Sequence, residues 1–158
     1  MTQAVHVVGV GMIPFTKPGA SASYEVMGAQ AARLALDDAG IAYAKVEQAY
    51  VGYVFGDSTS GQAAIYGVGL TGIPVINVNN NCATGSTALF LARQAVASGA
   101  ADCVLALGFE QMVPGALKGT CTDRPSPLAR FIDSLTETQG WAPAAPRAAQ
   151  LRERYPGV

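Results

Sequence analysis

In the run Asn79-Asn80-Asn81-Cys82-Ala83-Thr84-Gly85-Ser86, a cysteine closes a strand-like apolar segment and opens a long helix of small residues. That placement suits a nucleophile. The N–H groups of a helix's first turn and the helix dipole favour negative charge, so they stabilise a thiolate, the form that attacks acyl carbons. Three asparagines fit a tight strand-to-helix turn, because Asn tolerates left-handed backbone and bonds its own main chain. Ala83 and Gly85 keep the approach to sulfur open. The arrangement parallels the nucleophile elbow of hydrolases with sulfur replacing hydroxyl, although G-x-S-x-G itself is absent. The plainer alternative is an inert thiol in apolar surroundings. Covalent acyl chemistry also needs a base beside the sulfur, and the single histidine is His6, near the N-terminus. The residues supply half of an active site.

Other chemistry-bearing residues read as structural. His6 falls inside a strand pattern, whereas bases in such folds come from loops at the strands' carboxyl ends. Cys103 sits among apolar strand residues as core filler, and Cys121, beside Asp123 and Arg124, reads as an exposed thiol. Glu110 and Met112 follow the last strand, where either active-site contacts or a solvated turn are found. Gly9-Val10-Gly11 invites a dinucleotide reading. The third glycine is missing, however, and no helix starts until near Ser23.

A net charge of −1 with no cluster of Lys and Arg argues against nucleic-acid or anionic-membrane partners. No apolar run reaches the ~20 residues that span a bilayer, and no secretory signal is visible, so a cytoplasmic chain is expected. Three cysteines without C-x-x-C spacing suggest reduced thiols rather than a disulfide scaffold, and no metal site.

The elements that must position Cys82 follow from pattern. VHVVGV, residues 5–10, reads as a buried strand. Ser23 as N-cap, Glu25 in the first turn and Gly40 as C-cap bound a helix of about four turns. Residues 50–55 form a second strand, residues 61–70 hold a short helix, and residues 75–78 form a third strand leading to Cys82. From Ala83 to Gly99 the only charge is Arg93, so this helix should be buried nearly all round. A fourth strand covers residues 102–107, and the alternation predicts a parallel sheet in an α/β layer fold. Six of the nine prolines lie from Pro114 onward, where only residues 128–135 suggest a short helix. One sheet covers one side of the Cys82 helix. The chain is therefore expected to be incomplete in isolation: to dimerise, to pair with another polypeptide, or to be a truncation.

The stretch INVNNNCATGSTALFLARQAVASGAADCVLALGFEQM, residues 76–112, resembles the nucleophile region of the thiolase superfamily, nearest its sterol-carrier-protein or lipid-transfer type. VGVGMIPFTKPGA and YVGYVFGDSTSGQAAIY resemble the same subgroup. The resemblance implies an αβαβα fold of two similar halves, with the cysteine helix between two sheets. This chain would supply the N-terminal half, residues 1–112, a mostly parallel sheet with a buried nucleophile helix, and residues 113–158 would begin an inserted loop domain.

The resemblance further implies an acetyl-CoA acetyltransferase-like acyltransferase of lipid metabolism. Cys82 takes the acyl group of a 3-ketoacyl-CoA and passes it to coenzyme A, a cosubstrate rather than a bound cofactor, or runs the reverse Claisen condensation. The Cys82 backbone N–H would donate to the oxyanion. The family's histidine, second cysteine and remaining oxyanion donors, carried by the second half, have no match here. A homo-oligomer or a complementary thiolase-like chain is the implied partner. The rival readings are a noncatalytic half-fold acting as scaffold or partner subunit, and another condensing or retro-aldol thioester enzyme.

Overall fold

The computed structural model describes residues 4–115, 123–124 and 127. Residues up to Pro114 form one compact unit, and a second begins at Gly115. In the second unit Arg124 pairs with Asp123 at 2.6 Å on the surface, which holds the Asp123 carboxyl below its usual range. The suggested helix at residues 128–135 and the thiol of Cys121 lie outside the described residues.

The first unit is a parallel three-stranded sheet of β1 (Gln48–Gly52), β2 (Val75–Val78) and β3 (Val104–Gly108), in the order β2-β1-β3. Ala49 aligns with Val75 and Leu105, and Gly52 with Val78 and Gly108. The side-chain period of two divides β1 between the sheet's faces. Ala49 and Val51, both fully buried, join Leu105 and Leu107 against Ala32 of α1 (Tyr24–Ala39) and Ala64 and Ile65 of α2 (Ser60–Tyr66). The opposite face carries α3 (Thr84–Ala97), which packs on all three strands.

Helix α1 forms where its caps predict. Ser23 precedes it in extended conformation, and Gly40 closes it at φ 63°, a left-handed geometry that glycine adopts without a Cβ penalty. Gly40 and Ile41 N–H donate to Asp37 and Leu36 carbonyls at 3.1 Å each. The face turned inward is small, with Gly28, Ala29 and Ala32 buried, so α1 and α2 approach closely. A Cβ on Gly28 would meet the Ala64 Cβ at 2.9 Å.

Three expectations are corrected. Residues 5–10 form no strand. Val7, Val8 and Val10 are 61–71 % exposed, and His6 is exposed with them. The segment lies along α1 instead. Gly9 and Gly11 sit so near its backbone that added Cβ atoms would fall 2.4 Å from the Ala35 and Ala31 carbonyl oxygens, and Asp38 accepts the Val10 N–H at 2.8 Å.

Strand β1 ends at Gly52, before residue 55, because the Glu110 carboxylate takes the Val54 and Phe55 N–H groups at 3.0 and 2.9 Å. Strand β3 starts at Val104, after residue 102, because the Glu47 carboxylate takes the Asp102 and Cys103 N–H groups at 2.5 and 3.2 Å. Within this chain the Cys82 helix has the one-sided cover that a single sheet gives. Ala88, Ala92 and Ala95 face the sheet, while Leu89 and Phe90 on the other side are 53 % and 55 % exposed.

The Glu47 clamp makes a pH prediction. Those two amides hold its carboxyl below the ordinary 4.5, because hydrogen bonds to the charged form favour it. A carboxyl depressed in the folded state stabilises the fold fully above the unfolded value and loses that contribution as pH falls through the folded one. Glu47→Gln should therefore lower the melting midpoint at neutral pH, with the difference from wild type shrinking as the solution is taken below pH ~4. Melts followed by circular dichroism across pH check it.

Candidate functional site at the β2–α3 turn

Strand β2 delivers the chain to the carboxyl edge of the sheet, where residues 79–83 reverse it into α3. Each asparagine has its own task. Asn79 Oδ1 accepts the Asn81 N–H at 3.1 Å, which tightens the turn. Asn80 donates its N–H to Thr84 Oγ1 and its Nδ2 to Thr87 Oγ1, both at 2.9 Å. Asn81 takes the left-handed conformation, φ 49°, as expected for this residue type. Thr84 Oγ1 donates in turn to the Asn81 carbonyl, and Thr87 Oγ1 to the Ala83 carbonyl at 2.9 Å. The turn is thus bolted to the first turn of the helix on both sides of Cys82.

Cys82 stands one residue before Ala83, the N-cap position of α3. Alanine offers no acceptor, so the helix start carries no side-chain cap and its positive end is left to whatever occupies the space before it. The thiol is exposed and free, and donates to Asn81 Oδ1 at 3.7 Å. Among the described residues the Cys82 backbone N–H has no acceptor, and neither a histidine nor a carboxylate hydrogen-bonds to the sulfur. A Cβ added at Gly85, three residues further on, meets nothing within 4 Å.

Close packing fixes the helix start from beneath. A Cβ on Gly52 would lie 2.7 Å from the Thr84 carbonyl oxygen, so α3 begins directly over the end of β1. Gly52 also accepts the Phe109 N–H at 3.1 Å, and Tyr53 donates its N–H to the Val78 carbonyl at 3.3 Å. Tyr24, Phe109 and Tyr53 stack in series with centroids 5.2 and 5.1 Å apart. A hollow of about 400 Å³ opens beside Phe109, walled by Met12, Ile13, Phe15, Met27 and Met112, and Cys82 is not among its walls.

The other sequence candidates lie apart from this turn. Cys103 is half-buried before β3, and burial, then the charge of Glu47, pushes its thiol up. Iodoacetamide at pH 8 should alkylate Cys82 at least ~10-fold faster than Cys103, as peptide-resolved mass spectrometry reads out. Sequence reading missed the two threonines that lock the turn. Their spacing, two and five residues after the cysteine, was the available signal.

The description "Thiolase, N-terminal domain" matches residues 5–123. Sterol carrier protein 2 of Gallus gallus is 57 % identical over 153 residues, covering 96 % of this chain and 28 % of that protein. The benzoylsuccinyl-CoA thiolase subunit of Thauera aromatica is 32 % identical over 122 residues, covering 76 % of this chain and 31 % of its own length. The chain thus spans under a third of the length of these two relatives. Among solved structures, the 3-oxoacyl-[acyl-carrier-protein] synthase III of Aquifex aeolicus VF5 shares the fold. Its TM-score is 0.52 at 21 % identity, over 60 % of this chain and 32 % of that one. With three quarters of its length matched to that domain and the α/β layers in place, this chain belongs to the thiolase family.

Proposed function

We propose that the chain carries the acyl-accepting portion of a thiolase-type acyl-CoA acyltransferase, with Cys82 as the nucleophile. The observation that supports this most is the exposed thiol of Cys82, held by a left-handed asparagine turn at the uncapped start of α3. In thiolysis the Cys82 thiolate attacks the 3-keto carbon of a 3-ketoacyl-CoA. The C2–C3 bond breaks, its electron pair leaves on C2 as the enolate of acetyl-CoA, and that carbon takes a proton. The acyl group stays on sulfur until the thiolate of coenzyme A attacks it and releases Cys82. Run backward, the steps form a carbon–carbon bond.

The tetrahedral oxyanion needs donors aimed at it, and the uncommitted Cys82 N–H is one. The proton-handling groups are proposed to come from outside the described residues. In this reading residues 1–112 are the nucleophile-bearing domain and residues 113–158 part of a loop domain. Coenzyme A is a cosubstrate. Among the described residues the thiols of Cys82 and Cys103 are free, which suits a reducing, cytoplasmic setting.

A second reading, a noncatalytic half-fold that serves as a partner subunit, is favoured by one observation: the exposed Leu89 and Phe90 of α3. Retention of the cysteine favours thiolysis or Claisen chemistry over the retro-aldol type. Incubation with acetoacetyl-CoA and intact-mass analysis separates the readings. The proposal predicts the mass of one acetyl group, removed by added coenzyme A, whereas an unchanged mass sides with the partner subunit.

A further inference from the structure

The pair β1 and β3 is held at both ends by the same device, a carboxylate spanning two consecutive backbone N–H groups. At the amino end Glu47 spans Asp102 and Cys103. At the carboxyl end Glu110 spans Val54 and Phe55, with one oxygen on each amide. The amino-end clamp lies at the edge of the sheet opposite the one from which the Cys82 turn emerges. The carboxyl-end clamp belongs to that edge.

From Glu110 a short chain of bonds leads to the thiol. Val54 follows Tyr53, whose N–H donates to the carbonyl of Val78, the last residue of β2 before the asparagine turn. Gly52, one residue earlier, lies directly under the Thr84 carbonyl and accepts the Phe109 N–H, next to Glu110 itself. The ring of Phe109 stacks on Tyr53 at an interplanar angle of 6°, which fixes the same two segments a second time. At Glu110 each carboxylate oxygen answers one of the two adjacent amide donors, whereas at Glu47 both amides converge on Oε2.

We infer that Glu110 is a positioning residue for Cys82: by clamping Val54 and Phe55 it fixes the carboxyl ends of β1 and β2, and so the place from which the thiol is presented. The inference deepens the acyl-carrier reading of Cys82 and rests on it. Glu110 touches neither the sulfur nor its hydrogen-bond partner, so it acts through the backbone.

The test compares wild type with Glu110→Ala, Glu110→Gln and, as a matched clamp away from the site, Glu47→Ala. Two readouts are taken on folded protein, verified by circular dichroism at the assay temperature. The first is single-turnover acetylation by acetoacetyl-CoA over a concentration series. Glu110→Ala should lower the saturating rate at least ~10-fold with the half-saturating concentration unchanged. Glu110→Gln, which keeps one acceptor oxygen, should fall between, and Glu47→Ala should acetylate at the wild-type rate. The second is amide hydrogen exchange. Glu110→Ala should speed exchange in residues 53–55 and also in residues 79–83, with residues 88–95 unchanged.

Wild-type exchange in residues 79–83 of Glu110→Ala overturns the inference, as does an equal loss of acetylation in Glu47→Ala. Absence of acetylation in the wild type itself removes the acyl-carrier reading. The exchange comparison then still decides whether Glu110 positions the turn.

Discussion

Under the proposed chemistry, Cys82→Ser should lose acetyl transfer from acetoacetyl-CoA by at least ~10³-fold and should melt where the wild type does. The two halves of this result have separate physical causes. Serine keeps the size and hydrogen-bonding ability of cysteine, but its hydroxyl stays protonated, and among the described residues no base hydrogen-bonds to this position. The side chain is exposed and makes one hydrogen bond, at 3.7 Å to Asn81, so its contribution to the fold is within ~0.5 kcal/mol. The acylation rate by mass spectrometry and the melting midpoint by circular dichroism read the two. A Cys82→Ser protein that acylates at the wild-type rate removes the nucleophile from this residue.

Gly52→Val acts on the same site through packing. The added Cβ would arrive 2.7 Å from the Thr84 carbonyl oxygen, 2.8 Å from its Cγ2 and 2.9 Å from its carbonyl carbon. Two of these three atoms are main chain, so no rotamer change relieves the overlap and the start of α3 must lift from β1. The expected cost is about 2–3 kcal/mol of stability. Acetylation of the folded fraction should fall with it, because the lifted segment carries the thiol. Gly85→Ala, at the residue after Thr84, supplies the contrast. Its Cβ meets nothing, and replacing a helical glycine by alanine stabilises by roughly 0.5–1 kcal/mol. Denaturant unfolding of the two variants should therefore show midpoints moving in opposite directions.

What could be read from the sequence was what local chemistry decides. Ser23 and Gly40 bounded α1, the β-branched run fixed β2 to the residue, and the asparagines announced a turn that the left-handed Asn81 makes. What could not be read was set by partners far along the chain. The ends of β1 and β3 depend on carboxylates 55 and 56 residues away, so their strand patterns ran past the true limits.

The segment of His6 looked like a buried strand by composition. Its two glycines instead let it lie along α1, and that close approach depends on where the helix is, which no local pattern reveals. In α3 the alanines that seek the sheet and the larger Leu89 and Phe90 that face outward read alike by hydropathy. Only the tertiary arrangement separates them. The site shows the same division: the thiol and its turn were legible, the threonine lock and the Glu110 clamp were not.

If the thiol at the β2–α3 turn is the proposed acyl carrier, a short pulse of acetoacetyl-CoA followed by peptide-resolved mass spectrometry should find one acetyl group on the peptide bearing Cys82, with Cys103 unmodified. Added coenzyme A should remove it. An unmodified Cys82 peptide, or acetyl spread evenly over Cys103 and the lysines, would contradict the proposal.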